Sequence, residues 1–448
     1  MKIPPIPPDV ESSMQVLARE KPRSWSLSFD RSDIVDDQGR YLHWDEFRFR
    51  KPPEGFAAKE WWSLIRFTRK ALSESLPLTD EKEKPFTYNE PPSLRAALRE
   101  LDMNAGGALA SDAAALSVEE GHIYLKRSLA EEPFASSFIE GAATTRQIAK
   151  KLIFEGRAPR TKDERMVLNN FHAMEFVKAH RNDELTIPML LELHKIITED
   201  TLDSPEDSGR IRTTDDVRVV DETSGDILHQ PPSAAAMEER LKKLLDFANS
   251  PPSHNNWLHP LVKAFVLHFM LAYEHPFVDG NGRVARALFY WAALRAGYWL
   301  IEYVSISSII AEAKIVYGKT FLYVETDEND LTYFLVYHAD ILRKALERLI
   351  VFADKKRKEV IAFEKRLSER RRPDGFNHRQ SWLLNEFARN RLAQTTIAEH
   401  EKLYNVSYLT ARADLENLVK QKLLRKTKDG RTSIYAPMKD FMERLLPE

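Results

Sequence analysis

The run LVKAFVLHFMLAY, residues 261–273, is apolar almost throughout, and after one glutamate the dozen residues HPFVDGNGRVAR follow, His275 to Arg286. A helix that is apolar all round has to be buried on every side. This one carries Lys263 and His268 and is too short to cross a bilayer, so it belongs in the core of a helical domain. Pro276 disfavours helix at the residue before it, which sets the helix end near Glu274. Phe277 is expected to turn inward. Asp279-Gly280-Asn281-Gly282 then reads as a tight loop in which both glycines take positive φ, and RVARALFYWAALRAG opens a second helix. Two core helices are thus joined by a few residues that no core would choose.

The mixture suits a phosphorylated ligand. A glycine loop opening a helix binds anions, because free N–H groups and the helix dipole point the same way. Arg283 and Arg286 lie three apart on one face, and each guanidinium can fork onto phosphate oxygens. Asp279 would repel phosphate unless a cation stood between, so the pattern implies Mg²⁺. His275 alone in the set titrates near neutral pH and is the natural general base. Gly280-x-Gly282-x-x-Ala285, with Glu302 downstream, also fits a dinucleotide fingerprint, but that needs a strand before the first glycine and here a helix precedes it. Gly318-Lys319-Thr320 lacks the first glycine of a phosphate-binding loop, Ala313 standing in its place, and is rejected.

The rest of the chain reads as mostly α. Its 448 residues allow two or three domains. A formal net charge of -2 excludes an all-over nucleic-acid binder, and the lack of cysteine excludes disulfides and thiolate metal sites. MKIPPIPPDVESSM has no apolar core of a signal peptide, so a cytoplasmic protein with no membrane contact is expected. Residues 1–111 form a partly helical N-terminal region. There Trp61, Trp62, Leu64, Ile65 and Phe67 suggest one helix face on a core, with the neighbouring Arg and Lys residues solvated. Residues 112–350 carry repeated three-four apolar spacing, including SDAAALSVEEGHIYLKRSLAEE. One lone hairpin interrupts them at 217–233, with a turn at Ser224-Gly225 and a stop at Pro231-Pro232. Residues 351–376 read as a charged linker. Residues 377–448 read as three helices and a hairpin, with Ser407 as an N-cap.

HPFVDGNGRVAR resembles the signature of the Fic (Fic/DOC) family, HPFxDGNGRxxR, at every fixed position, and the likeness extends over 112–350. The resemblance implies a helical bundle with a β-hairpin flap that moves AMP from ATP, with Mg²⁺, to a Tyr, Thr or Ser hydroxyl of a protein, the chain itself included. His275 would be the base. Asp279 would hold Mg²⁺. Gly280, Asn281 and Gly282 would cradle the phosphates with Arg283 and Arg286, Arg286 taking the terminal one, and Phe277 would be structural. The hairpin 217–230 resembles the family flap, with Val217, Arg218, Val219, Val220 and His229 as target-docking residues. Pairing there would be by strand addition. Ser136-x-x-x-Glu140-Gly141 resembles the inhibitory motif of the family, with Glu140 standing in for a phosphate on Arg286. Alternatives stay open: AMP removal with Glu140 orienting a water, transfer of another nucleotide or phosphate group, or an ATP-sensing DNA-binding regulator. The oligomeric state stays open too.

YNVSYLTARADLENLVKQKLL and LLRKTKDGRTSIYAP resemble the helix-turn-helix and wing of a winged-helix domain. From residue 378 on, 13 Lys/Arg against 9 Asp/Glu leave 13 − 9 = +4. Arg412, Lys420, Arg425, Lys426, Lys428 and Arg431 are the candidate phosphate contacts, and Asp414 and Glu416 weaken the case for DNA.

Overall fold

The structure is a computed structural model. It describes residues 1–10, 13–15, 19, 33–106, 127–221, 223–251, 257–369, 375–389, 393–430 and 432–445. The proposed helix at 111–132 lies largely outside them, as do Glu222 of the hairpin and Arg431 of the tail.

Helices dominate, with small antiparallel sheets between them. After a short helix at Trp44–Phe47 comes α1 (Ala58–Leu72), followed by the hairpin β1 (Glu74–Thr79) and β2 (Pro85–Tyr88), then α2 (Pro92–Leu101). The sequence reading has no counterpart for this hairpin, because Pro77 and a charged turn mask its alternation. In α1 the residues Trp61, Trp62, Leu64 and Ile65 are buried as expected, but Phe67 is 50% exposed. Of its basic residues Lys59 and Lys70 are exposed as expected, but the two arginines are not solvated. Arg69 is fully buried, with its guanidinium 3.5 Å from the Tyr41 ring and hydrogen bonds to Ile34 O, Leu42 O and Tyr333 Oη. Arg66 pairs with buried Asp327 at 2.8 Å.

The main core forms around α8 (Pro260–Glu274) and α9 (Asn281–Arg295). Phe265 of one stacks on Phe289 of the other, ring centres 5.5 Å apart. The helices α3 (Glu131–Ile139), α4 (Arg146–Phe154), α5 (Lys162–Ala179), α6 (Ile187–Thr198) and α7 (Met237–Asn249) precede this pair. α10 (Ile306–Glu312) and α11 (Lys314–Thr326) follow it. Several open on the side-chain oxygen of a Ser or Thr: Thr145, Thr161, Thr186 and Ser305. The hairpin expected at 217–233 is short, β3 (Val219–Val220) against β4 (Ile227–His229), with its turn at Gly225.

Next, α12 (Thr332–Glu369) runs unbroken from the main core, where Ile341, Leu342 and Leu346 are buried, to the C-terminal cluster, where Phe363 is buried. That cluster joins α13 (His378–Arg389), β5 (Thr395–Thr396), α14 (Ile397–Tyr404), α15 (Tyr408–Lys420), β6 (Leu424–Asp429), β7 (Thr432–Pro437) and α16 (Phe441–Leu445), with strand order β5-β7-β6. Ser407 caps α15 through the Thr410 amide. No helix among the described residues is long and apolar enough to cross a membrane.

Candidate functional site

The site lies where α8 ends and α9 begins. His275 is the C-cap of α8 and sits in the left-handed region, φ 51°. Its Nδ1 lies 3.0 Å from Ala272 O, and a carbonyl only accepts. Nδ1 therefore carries the proton and Nε2 keeps its lone pair. Nε2 has no hydrogen-bond partner among the described residues. Burial pushes the imidazole pKa down to about 4, more than the Ala272 bond raises it, and the charges of His229 and Arg212 act in the same direction as burial. The ring is thus a neutral base at pH 7.

The loop after it is built by groups with no part in the motif. Phe277 turns inward as expected and stacks on His194 of α6, ring centres 3.8 Å apart and 4° from parallel. His194 Nε2 meets Asp279 O at 2.9 Å, while Nδ1 accepts from the Gly209 amide. Asn281 exchanges both its amide groups with the backbone of Phe277, at 2.9 and 2.8 Å. Its side chain closes the loop and leaves only the backbone to a ligand. Arg212, buried to 3%, donates from its side chain to His275 O, Thr214 O and Pro232 O, and its amide donates to Pro276 O. One guanidinium so fastens the base to the foot of the hairpin.

The two glycines serve different ends, which corrects the expectation that both take positive φ. Gly280 has φ 87°, and a Cβ there would stand 3.0 Å from Thr198. Gly282 is helical. A Cβ on it would lie 2.5 Å from Glu140 Oε1, so its bare backbone makes room for an anion. The helix bonds of α9 begin at Val284 N, which leaves the preceding amides at an anion-binding helix start.

Glu140 fills that place. It ends α3, where Gly141 at φ 93° closes the helix with Gly141 N to Phe138 O and Ala142 N to Ser137 O. The carboxylate takes Arg286 Nη2 at 2.7 Å, and Ser136 takes Arg286 Nε on Oγ at 2.9 Å. Burial works against the Glu140 carboxylate, but Arg286 and Arg283 outweigh it and hold its pKa below the usual value. Arg286 is 1% exposed, and its Nη1 and the Arg283 Nε are buried without a partner among the described residues. Such orphaned donors suit further anionic oxygens. Lys314 at the start of α11 donates to Phe138 O and Ile139 O and so holds the end of α3, which carries Glu140. Glu132, at its other end, accepts from Ser305 and Ser307. Neither contact has a motif signal.

Asp279 has a 59% exposed side chain, 3.2 Å from Arg283. No cluster of three metal-binding side chains occurs among the described residues. One carboxylate beside a phosphate cradle fits Mg²⁺, which takes the rest of its ligands from substrate and water. In the hairpin, Val220 and Ile227 are 47% and 45% exposed. His229 does not face outward. Its Nδ1 meets Glu325 at 2.8 Å and its Nε2 meets Tyr273 O at 2.7 Å. Both partners only accept, so the ring is an imidazolium. Burial opposes this, but Glu325 outweighs it and the pKa is raised.

A neutral imidazole, a helix start with free amides and two buried arginines together make a site suited to a phosphorylated ligand. Residues 184–293 match the model of the Fic/DOC family. The matched residues include the whole string from His275 to Arg286 that carries the sequence resemblance. It is similar to the protein adenylyltransferase Fic of Nematostella vectensis, 29% identical over 192 residues, 41% of this chain and 42% of that one. It is also similar to protein adenylyltransferase fic-1 of Caenorhabditis elegans, 31% identical over 151 residues, 33% of this chain and 27% of that one. The chain thus spans less than half the length of these curated relatives. Among solved structures it is similar to a Fic family protein from Desulfovibrio desulfuricans G20, at 19% identity and a TM-score of 0.49, covering 79% of this chain and 98% of that one.

Proposed function

We propose that the chain is a protein adenylyltransferase restrained by its own Glu140. The supporting observation is the Glu140 carboxylate seated 2.7 Å from Arg286, in space that Gly282 leaves bare. In the reaction, His275 Nε2 takes the proton of a target hydroxyl, the oxygen bonds to the α-phosphorus of ATP, and pyrophosphate leaves. Mg²⁺, held by Asp279, would neutralise phosphate charge when bound. The backbone from Gly280 to Gly282 and the two arginines hold the phosphates, with the terminal one on Arg286 once Glu140 withdraws. A carboxylate on that guanidinium is worth on the order of 4 kcal/mol at 4 Å with an effective dielectric near 20, before desolvation. This is enough to displace a productive phosphate pose. Strand addition at β3 would align the target.

Intact-mass spectrometry of the wild type, Glu140→Gly and His275→Ala with ATP and Mg²⁺ tests this reading. Added AMP is expected only where His275 is present, and most in Glu140→Gly. No AMP on any variant, with AMP lost from a modified chain instead, would favour removal.

A second reading concerns the tail, a helix–helix–helix–hairpin unit with the order of a winged helix. The two acids that argued against DNA are engaged internally. Asp414 is buried against Asn377, Arg379 and His400, whose bonds outweigh burial and pull its pKa down to about 2. Glu416 pairs with Lys426 and accepts from Tyr435 Oη. Arg412, Lys420, Arg425 and Lys428 are left exposed. Binding of duplex DNA that weakens with salt, and weakens again in Arg412→Ala/Lys428→Ala, is the expected outcome. Binding equal to wild type in that double variant counts against it.

A further inference from the structure

His275 holds a backbone pose that residues other than glycine take rarely, with φ 51° in the left-handed region. Its amide closes the end of α8 on Leu271 O at 3.0 Å. A helix that ends on a left-handed residue commonly gains a second closing bond from the amide that follows. Here the next residue is Pro276, which has no N–H to give. The hold comes instead from one residue far back in the chain. Arg212 Nε donates to His275 O at 2.9 Å, and Arg212 N donates to Pro276 O at 2.9 Å. The carbonyls of the base and of the residue after it are both taken by Arg212. That pose sets the imidazole Nδ1 on Ala272 O and leaves the Nε2 lone pair free.

Arg212 is rooted where the hairpin leaves the core. Its Nη1 donates to Thr214 O at 2.9 Å and lies 3.2 Å from Asp215 Oδ1. Asp215 in turn accepts from Ala234 N at 2.6 Å and from Ser233 Oγ at 3.3 Å. The segments before β3 and after β4 are therefore tied together at their base, and the same guanidinium reaches the catalytic loop. The side chain is almost fully buried, so these bonds do not compete with bulk water. The job calls for arginine. Its planar fork serves acceptors in several directions at once, whereas lysine keeps the charge but presents its donors from one atom. We infer that Arg212 is a positioning residue for the transfer, holding His275 in its left-handed pose from the foot of the flap. This rests on the adenylyltransferase reading and adds to it a residue outside the motif.

Arg212→Lys and Arg212→Gln are placed in the Glu140→Gly chain and compared with that parent. Both should bind ATP as the parent does in calorimetry, because the cradle from Gly280 to Arg286 is untouched. AMP transfer read by intact mass should fall about tenfold or more in kcat, with KM for ATP unchanged. Nitrogen NMR of the His275 ring, assigned against His275→Gln, should show the Nδ1–H tautomer in the parent and a mixture of tautomers in both variants. Transfer at the parent's rate in Arg212→Gln overturns the inference alone, since the base then needs no such hold. So does a ring that keeps the parent's tautomer in both variants. ATP affinity lost in step with transfer in both also overturns it, because the residue then serves only the fold. A Glu140→Gly parent that transfers no AMP overturns the adenylyltransferase reading itself, and this inference with it.

Discussion

His275 and Gly282 show how much rests on single atoms. The ring is neutral at pH 7 because burial outweighs everything else around it, and its depressed value near 4 would set the acid limb of the proposed transfer. For Glu140→Gly, kcat/KM should stay flat from pH 8 to about pH 5 and fall only below that, since a base works above its own pKa. A midpoint near 6.5 would count against the buried-base geometry. Gly282→Ala should behave unlike Glu140→Gly. The new Cβ expels the Glu140 carboxylate but also fills the cradle, so ATP affinity should drop by about tenfold or more with no gain in transfer, as calorimetry and the mass assay would read. The Glu140 pKa is lowered, so its pairing with Arg286 is complete above the ordinary carboxyl value and lost only as pH falls through the lowered one. The proposed brake should therefore hold at neutral pH. Ser136, Glu140, Gly141 and the residues from His275 to Arg286 were legible because they sit in contiguous strings. Arg212 and His194 were not, since their roles depend on carbonyls far away in the chain.

Helix ends would carry the proposed regulation. Lys314 donates to the last carbonyls of α3 and lies 4.8 Å from the Phe138 ring, so it holds the helix that carries Glu140 without touching the cradle. Removing such a cap costs about 0.3–1 kcal/mol. Lys314→Ala should therefore raise AMP transfer about two- to fivefold, with ATP binding to the Glu140→Gly background unchanged. His229 plays the matching part for the flap. Its folded pKa is raised, so the stability it adds is fully present below the unfolded value of 6.5 and is lost as pH rises through the folded one. His229→Gln should cost about 1.5–3 kcal/mol at pH 6 and progressively less toward pH 9, as thermal unfolding would show. An equal deficit at both pH values would mean the ring is not an imidazolium. The hairpin itself was legible from its β-branched run and turn. The orientation of His229 toward Glu325 was not, because no local spacing relates the hairpin to α11.

Buried polar groups, besides apolar residues such as Leu78 and Phe86, hold the N-terminal region against the main core. Arg66 and Asp327 are 6% and 2% exposed at their side chains and come from segments 261 residues apart. Arg66→Met should lower stability by about 3–5 kcal/mol, because the carboxylate is left buried and uncompensated. Replacing Asp327 with Leu as well should recover part of the loss in a denaturant titration. The reading of α1 as a helix with a solvated basic side failed at this level. Periodicity identified its apolar residues, but no pattern announces that an arginine will be swallowed by Tyr41, Tyr333 and two backbone carbonyls.

What could be read without coordinates was local: helix periods, a helix stop before Pro276, caps, turn glycines, and a dozen residues dense enough to specify a phosphate site and a base. These depend on backbone sterics and on neighbours within a few positions. The protonation of His275 and His229, the separate duties of Gly280 and Gly282 and the seating of Glu140 on Arg286 depend on burial and on contacts between distant segments. Electrostatic free energy is set by the three-dimensional surroundings of a charge, and only the folded chain supplies those.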